Sequence, residues 1–88
     1  MDMYTLKYRR KARNYLARLP LKIKTTIVRK LHELSSNPDS PSLDIDTLKG
    51  QEGFRLRVGQ YRIIYTREDY NLIIEVVKIR PRGDIYKR

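Results

Sequence analysis

The spacing of hydrophobic residues divides the first part of the chain into a strand and two helices. Tyr4, Leu6 and Tyr8 alternate with polar residues, which is typical of a half-buried strand. From about Arg9 the apolar spacing becomes helical, and Pro20 interrupts it once. We therefore predict a strand followed by two amphipathic helices joined by a very short turn. The apolar positions of these helices are Ala12, Tyr15, Leu16, Leu19, Ile23, Ile27, Val28, Leu31 and Leu34.

The second part of the chain has the alternation of a β-sheet. Residues 35–46 contain two prolines and no sustained period, so this segment is predicted to be a loop that only connects. Residues 54–58 and 61–65 alternate strictly around Gly59-Gln60, which is typical of a β-hairpin. A polar turn is predicted at 67–71.

The last apolar run, residues 72–79, is expected to form a strand that is buried on both faces for most of its length. The predicted class is α+β with the order β-α-α-β-β-β. In this arrangement the helical hairpin covers one face of a small, mainly antiparallel four-stranded sheet. A chain of 88 residues has room for one core, so we expect a single domain over residues 1–88.

Composition and charge narrow the class of protein. Twenty Lys and Arg against ten Asp and Glu give a net charge of +10, which bears on the partner rather than on the fold. The absence of cysteine excludes disulfides, thiolate nucleophiles and sulfur-bound zinc. The N-terminus lacks the pattern of a signal peptide and no apolar run is long enough to cross a membrane, so we expect a cytoplasmic protein with no membrane partner.

Two arginines are predicted to face each other on the hairpin. If Gly59-Gln60 is a two-residue turn, Arg57 lies directly opposite Arg62 and apolar pairs occupy the other face. Like charges at this spacing repel, and a bound anion would remove the conflict. The pair alone is equally consistent with an exposed basic strand face in a basic protein.

The C-terminal segment adds further donors and an aromatic ring. Arg80, Arg82 and Tyr86 follow a strand that should neighbour the hairpin. Arginine holds phosphate oxygens with a planar fork, and a tyrosine ring can stack on an unpaired base. This combination favours a single-stranded RNA site over a duplex DNA site. The alternative for Tyr86 is to pack the C-terminus onto the sheet.

At these residues the chain resembles the RelE family of bacterial and archaeal toxins, within the RelE/ParE superfamily. The resemblance covers nearly the whole chain. It rests on the strand-helix-helix opening, the Leu48-Lys49-Gly50 lead-in, the hairpin of residues 54–65, and the Arg-x-x-x-Tyr of Arg82 and Tyr86. It implies a RelE-like fold and the toxin of a type II toxin-antitoxin system. Such a toxin enters the ribosomal A site, where it contacts ribosomal RNA and cleaves mRNA, and a RelB-like antitoxin silences it.

The resemblance also implies the chemistry and the residues. Attack of a ribose 2′-OH on the adjacent phosphate would cleave the RNA with no metal or other cofactor, through alignment and charge stabilisation. Arg62 and Arg82 would stabilise the phosphate, and Tyr86 would stack on a base. The expected catalytic residues are Arg57, Arg62, Arg82 and Tyr86, and the expected RNA-binding residues are Lys49, Arg55 and Arg80.

The chain departs from the family pattern at Arg55 and Arg57, where relatives commonly have lysines. Arginine has a pKa above about 12 and is a poor general base. Either alignment alone then accounts for the rate, or another group such as Lys49 or Tyr86 takes the proton.

The sequence is also consistent with two other functions. One is a ParE-like poison of DNA gyrase, which shares the fold without requiring the terminal Arg and Tyr. The other is an RNA-binding module with no activity. Of the remaining polar residues, His32 is expected at the helix surface. The acidic pairs Asp44/Asp46 and Glu68/Asp69 are expected to be solvated in loops, and no metal site is predicted.

Overall fold

A computed structural model describes residues 3–81 as two helices and one mixed sheet. The elements are β1 (Thr5–Tyr8), α1 (Arg10–Ala17), α2 (Leu21–Ser36), β2 (Asp44–Thr47), β3 (Phe54–Val58), β4 (Tyr61–Glu68) and β5 (Ile73–Pro81). The strands lie in the order β1-β5-β4-β3-β2; β1 is parallel to β5, and every other pairing is antiparallel. The α+β class and the order of the predicted elements are confirmed, but the sheet has five strands where four were predicted.

The additional strand, β2, lies at the end of the segment predicted to be a connecting loop. Asp44 pairs with Arg57 and Asp46 with Arg55 across the β2–β3 ladder. Aspartate is uncommon in strands, but opposite charges on facing residues stabilise a sheet pair. The loop prediction is wrong here because the partner that makes β2 a strand lies in β3, outside the local sequence pattern.

Both helices are amphipathic, and one proline separates them. Pro20 is the N-cap residue of α2. Proline has no N–H to donate, so α1 cannot continue through it, while its fixed φ suits a helix start. None of the described helices is both long and apolar enough to cross a membrane. The buried helix residues pack on the sheet; they are Ala12, Leu16, Ile27, Leu31, Leu34 and Ser35.

The core lies between the helices and one face of the sheet, and the opposite face is called the outer face below. Burying an aliphatic side chain of the size found here contributes about 1.5–3 kcal/mol. Phe54 stacks on Tyr65 with ring centroids 5.4 Å apart. Burial raises the pKa of Tyr65 to about 12. The buried strand residues are Leu56, Val58, Ile63, Tyr65, Ile74, Val76 and Ile79.

A bulge in β5 changes which of its residues face the helices. Tyr65 pairs with Val76 and Ile64 pairs with Lys78, so Val77 has no partner in β4. The extra residue shifts the alternation by one position, as β-bulges do. Beyond the bulge, Lys78 and the residue two positions later, Arg80, therefore lie on the outer face.

The expected burial of this strand on both faces is wrong for its outer face. Ile74, Val76 and Ile79 are buried against the helices, whereas Val77 is half-buried and Lys78 is exposed. The outer face has no second layer of helices over it in the described part of the chain, so it is polar and accessible.

Arg67 joins three separate segments at one end of the sheet. Its guanidinium donates to both Asp39 carboxylate oxygens at 3.0 and 3.3 Å, and its Nε donates to Asp69 Oδ1 at 2.8 Å. The Tyr4 hydroxyl also donates to Asp69, and the Tyr4 ring lies 5.8 Å from Arg67 Cζ.

The polar turn predicted over residues 67–71 is too long, because β4 continues through Glu68. Asp69, expected to be merely solvated, is held by two donors.

Replacing Arg67 by methionine should lower the free energy of unfolding by about 1 kcal/mol, because a half-buried guanidinium loses three hydrogen bonds. The hydrogen bond from Arg67 also lowers the pKa of Asp69. The Arg67–Asp69 hydrogen bond therefore stabilises the fold fully at a pH above about 3.9, the pKa of Asp69 in the unfolded chain. This stabilisation is lost as the pH falls from there through the lower pKa of the folded state. Denaturant titrations at pH 7 and at pH 3 measure both effects.

The control for this substitution is Arg13→Met, which removes the same charge from an exposed position of α1. Arg67→Met should lose less stability on acidification than the wild type and Arg13→Met do. Parallel losses in all three proteins would contradict the assigned role of the Arg67–Asp69 contact.

Candidate functional site

Three arginines form a row across the outer face. Arg57 of β3 pairs with Arg62 of β4, and Arg62 pairs in turn with Arg80 of β5. The predicted hairpin register, including the Arg57–Arg62 opposition, is confirmed at each of its five pairs. Neighbouring strands lie about 4.8 Å apart, so the three like charges stand close together and repel one another. Such a row is a favourable place for an anion.

A groove of about 380 Å³ lies beside this row. Arg55, Arg62, Lys78 and Arg80 line it with positive charge, and Ile64 lies between Arg55 and Lys78 in the pairing register. The groove is thus basic at its sides with an apolar strip at its centre. Leu48, Gln51 and Val77 complete the lining.

Among the basic residues of the row and the groove, carboxylates lie within 4.0 Å of Arg55 and Arg57 in the described part of the chain. Arg55 Nη2 lies 3.3 Å from Asp46 Oδ2, and Arg57 lies 3.8 Å from both Asp44 and Asp46. Within residues 3–81, no carboxylate oxygen lies within 4.0 Å of a side-chain nitrogen of Arg62 or Arg80. The uncompensated positive charge is therefore concentrated on β4 and β5.

Lys49 lies at the β2 edge of this face. It lines a depression of about 410 Å³ together with Asp46, Thr47 and Arg55. Gly53 shapes the connection that carries Lys49: its φ is +122°, and a Cβ there would lie 3.1 Å from the Tyr65 carbonyl oxygen. Lys49 is consequently placed near Arg55 and does not line the groove shared by Arg62 and Arg80.

Two of the predicted catalytic residues, Arg82 and Tyr86, lie outside the described residues, and their roles stay predictions. The structure places four of the other predicted residues on one sheet face, with Arg80 in the same row as Arg57 and Arg62 and with Arg55 beside it.

Lys78, Asp44 and Asp46 also belong to this face, although none of them was predicted there from the sequence. Lys78 was assigned to a strand predicted to be buried on both faces for most of its length, and the bulge that places it on the outer face is seen only in the pairing with β4. Asp44 and Asp46 are not loop residues, because they lie on β2 and point at the arginines.

The face presents several guanidinium donors from neighbouring strands, an arrangement that suits an anion. His32 is exposed on α2, as predicted, and takes no part in it. Tyr65 cannot supply a base here, because it is buried on the helix side and its pKa is raised to about 12. Among residues 3–81, no three His, Asp or Glu side chains are grouped to hold a metal ion.

Comparison with known proteins identifies relatives over nearly the full chain. Residues 6–86 match the model of the family described as the ParE toxin of the type II toxin-antitoxin system parDE. A RelE-like toxin protein of Escherichia coli is 32% identical over 85 residues, which are 94% of this chain and 90% of that protein.

Two solved toxin-antitoxin complexes contain chains with the same fold. The archaeal RelE-RelB complex from Pyrococcus horikoshii OT3 gives a TM-score of 0.80 at 26% identity over 92% of this chain and 97% of that chain. The RelBE2 toxin-antitoxin complex of Mycobacterium tuberculosis gives 0.76 at 26% identity over 96% and 97%. The chain therefore belongs to the RelE/ParE superfamily of type II toxins.

Proposed function

We propose that this protein is a ribosome-dependent mRNA endoribonuclease of the cytoplasm that inhibits translation. The observation that supports the proposal most is the row Arg57–Arg62–Arg80 on one open sheet face. Three neighbouring guanidinium groups repel one another, and only Arg57 has carboxylates within 4.0 Å among residues 3–81, so folding alone gives no reason for the row. An RNA backbone supplies an anionic partner.

The proposed reaction is an internal transesterification. A ribose 2′-oxygen attacks the adjacent phosphorus and loses its proton, and the bond to the 5′-oxygen breaks as that oxygen gains a proton. The products are a 2′,3′-cyclic phosphate and a free 5′-OH. Arg62 and Arg80, which lack carboxylate partners within residues 3–81, are suited to neutralise the charge that develops on the phosphate.

The arginines of this site do not provide an efficient general base for proton transfer. Arginine is a poor general base, so Arg55 and Arg57 are not suited to take the proton. Lys49 lies close to Arg55 at the β2 edge and is one candidate, and Tyr86 is the other. A site with strong charge stabilisation and no efficient base depends on alignment of the 2′-OH, which a ribosome-bound message would provide.

We further propose a RelB-like antitoxin as the partner that silences the toxin, since the P. horikoshii and M. tuberculosis relatives were solved as complexes with one. A nearly apolar groove of about 300 Å³ between α2 and the β3–β4 turn is a suitable surface. Leu21 stands at the start of α2 with 76% of its surface exposed. An amphipathic antitoxin helix could cover both.

The second candidate is inhibition of DNA gyrase, favoured by the match to a family described by its ParE toxin. This function does not require the arginine row. A supercoiling assay separates the two: inhibition that is unaffected by Arg62→Ala would support the gyrase function. Binding of RNA with neither activity would reduce the protein to a binding module.

The nuclease proposal is tested by adding the purified protein to programmed ribosomes and mapping the 5′ ends of the message. Wild-type protein should cut within the A-site codon. Arg62→Ala should lower the rate by at least about 100-fold, as expected when a group that stabilises transition-state charge is removed. Arg82→Ala should have an effect of similar size.

The matched control is Arg29→Ala, which removes the same charge from an exposed position on α2, in the layer opposite the outer face. It should keep most of the cleavage rate. Intact message with the wild-type protein, or equal losses for Arg29→Ala and Arg62→Ala, would refute the proposal.

Relief of the repulsion at the row should be measurable without RNA. Arg62→Thr should raise the free energy of unfolding by about 0.2–1 kcal/mol, because one like-charge pair on each side of β4 disappears. Phosphate should stabilise the wild type more than Arg62→Thr when chloride at the same ionic strength is the reference. Thermal denaturation of both proteins gives the comparison, and an equal phosphate effect would argue against an anion site at Arg62.

A further inference from the structure

The carboxylates of β2 occupy the arginines that lie nearest to them on the outer face. A single oxygen, Asp46 Oδ2, lies 3.3 Å from Arg55 Nη2 and 3.8 Å from Arg57 Nη2, and Asp44 Oδ2 lies 3.8 Å from Arg57 Nε. Asp46 thus bridges two arginines in the manner of a bound phosphate oxygen.

These contacts are weak and easily exchanged. Two of the three distances exceed the usual range for a hydrogen bond, and 52% and 60% of the Asp46 and Asp44 side chains are exposed. Exposed ion pairs of this kind contribute little to folding. A phosphate that engages a guanidinium fork with two parallel bonds is a stronger partner and can displace them.

The charges on the face are therefore graded from one edge to the other. Arg62 and Arg80 have no competing carboxylate within residues 3–81. Arg55 has one nearby carboxylate, that of Asp46, and Arg57 has two. A phosphodiester meets free positive charge on β4 and β5, and reaches Arg55 and Arg57 only by exchange with Asp46 and Asp44.

We propose that Asp46, assisted by Asp44, is an internal competitor of RNA phosphate at Arg55 and Arg57. It lowers the affinity for loose single-stranded RNA and leaves Arg62 and Arg80 to make the first contact. The inference rests on the proposed function in so far as RNA is the ligand. It assigns a restraining role to two acidic residues of an otherwise basic surface.

The test is the affinity of full-length variants for a single-stranded RNA whose riboses are 2′-O-methylated, so that it cannot be cleaved by its own 2′-OH. Fluorescence anisotropy is measured over a series of KCl concentrations. Asp46→Asn should bind about two- to fivefold more tightly than the wild type, which corresponds to the usual strength of an exposed ion pair. The slope of log affinity against log salt should steepen by about 0.7, the value for one more neutralised phosphate.

Glu52→Gln is the matched control, because it changes the net charge equally at an exposed loop position whose carboxylate has no ion pair within residues 3–81. Its gain in affinity should be smaller than that of Asp46→Asn. In a protein that also carries Arg55→Ala and Arg57→Ala, Asp46→Asn should give no gain beyond that of Glu52→Gln. A merely structural role for Asp46 would instead leave RNA affinity unchanged or lower it.

The two proposals fail in different measurements. Equal affinities and salt slopes for Asp46→Asn and Glu52→Gln would overturn the competitor role while ribosome-dependent cleavage could still be observed. Absence of cleavage on ribosomes, together with the expected gain for Asp46→Asn, would overturn the nuclease and support the competitor role.

Discussion

Burial of one face of β4 is the constraint on which the rest of the structure depends. Ile63 and Tyr65 are enclosed between the sheet and the helices, so β4 cannot shift by one residue against its neighbours without exposing them and burying charge. The energy of the core therefore fixes the register on both sides of β4. That register places Arg62 between Arg57 and Arg80 although these arginines repel each other. Hydrophobic packing on one face thus holds an electrostatically unfavourable arrangement on the other.

Most of the fold could be predicted because its determinants are local. Alternation and a two-residue turn specify the β3–β4 hairpin, and Pro20 separates two helices of clear amphipathic period. β2 could not be predicted this way, since a four-residue strand rich in aspartate is recognised only from its pairing with β3. The parallel pairing of β1 with β5 likewise depends on contacts between the two ends of the chain.

The residues of the candidate site also fall into those that local sequence patterns predict and those that depend on tertiary pairing. Arg57 and Arg62 follow from hairpin geometry, and Arg55 follows from the same strand. The outer-face position of Lys78 could not be predicted, because it depends on the bulge in β5, which is not visible in the spacing of hydrophobic residues. The counter-charges at Asp44 and Asp46 required a tertiary pairing. Arg82 and Tyr86 were predicted from the donors and the aromatic ring of the C-terminal segment, and the resemblance to RelE toxins implied their catalytic roles; both lie outside the described residues.

The unpaired Val77 gives the spacing in β5 a meaning of its own. One extra residue moves every later side chain of the strand to the opposite face of the sheet. Lys78 and Arg80 therefore lie on the outer face only if two residues separate Val76 from Ile79. A relative without the bulge would have to carry its basic residues one place earlier or later to present the same surface. Alignments that match such proteins letter by letter would then pair a surface arginine with a core residue. Two residues of this strand are functionally equivalent when they lie on the same face of the sheet, even where their aligned positions differ by one.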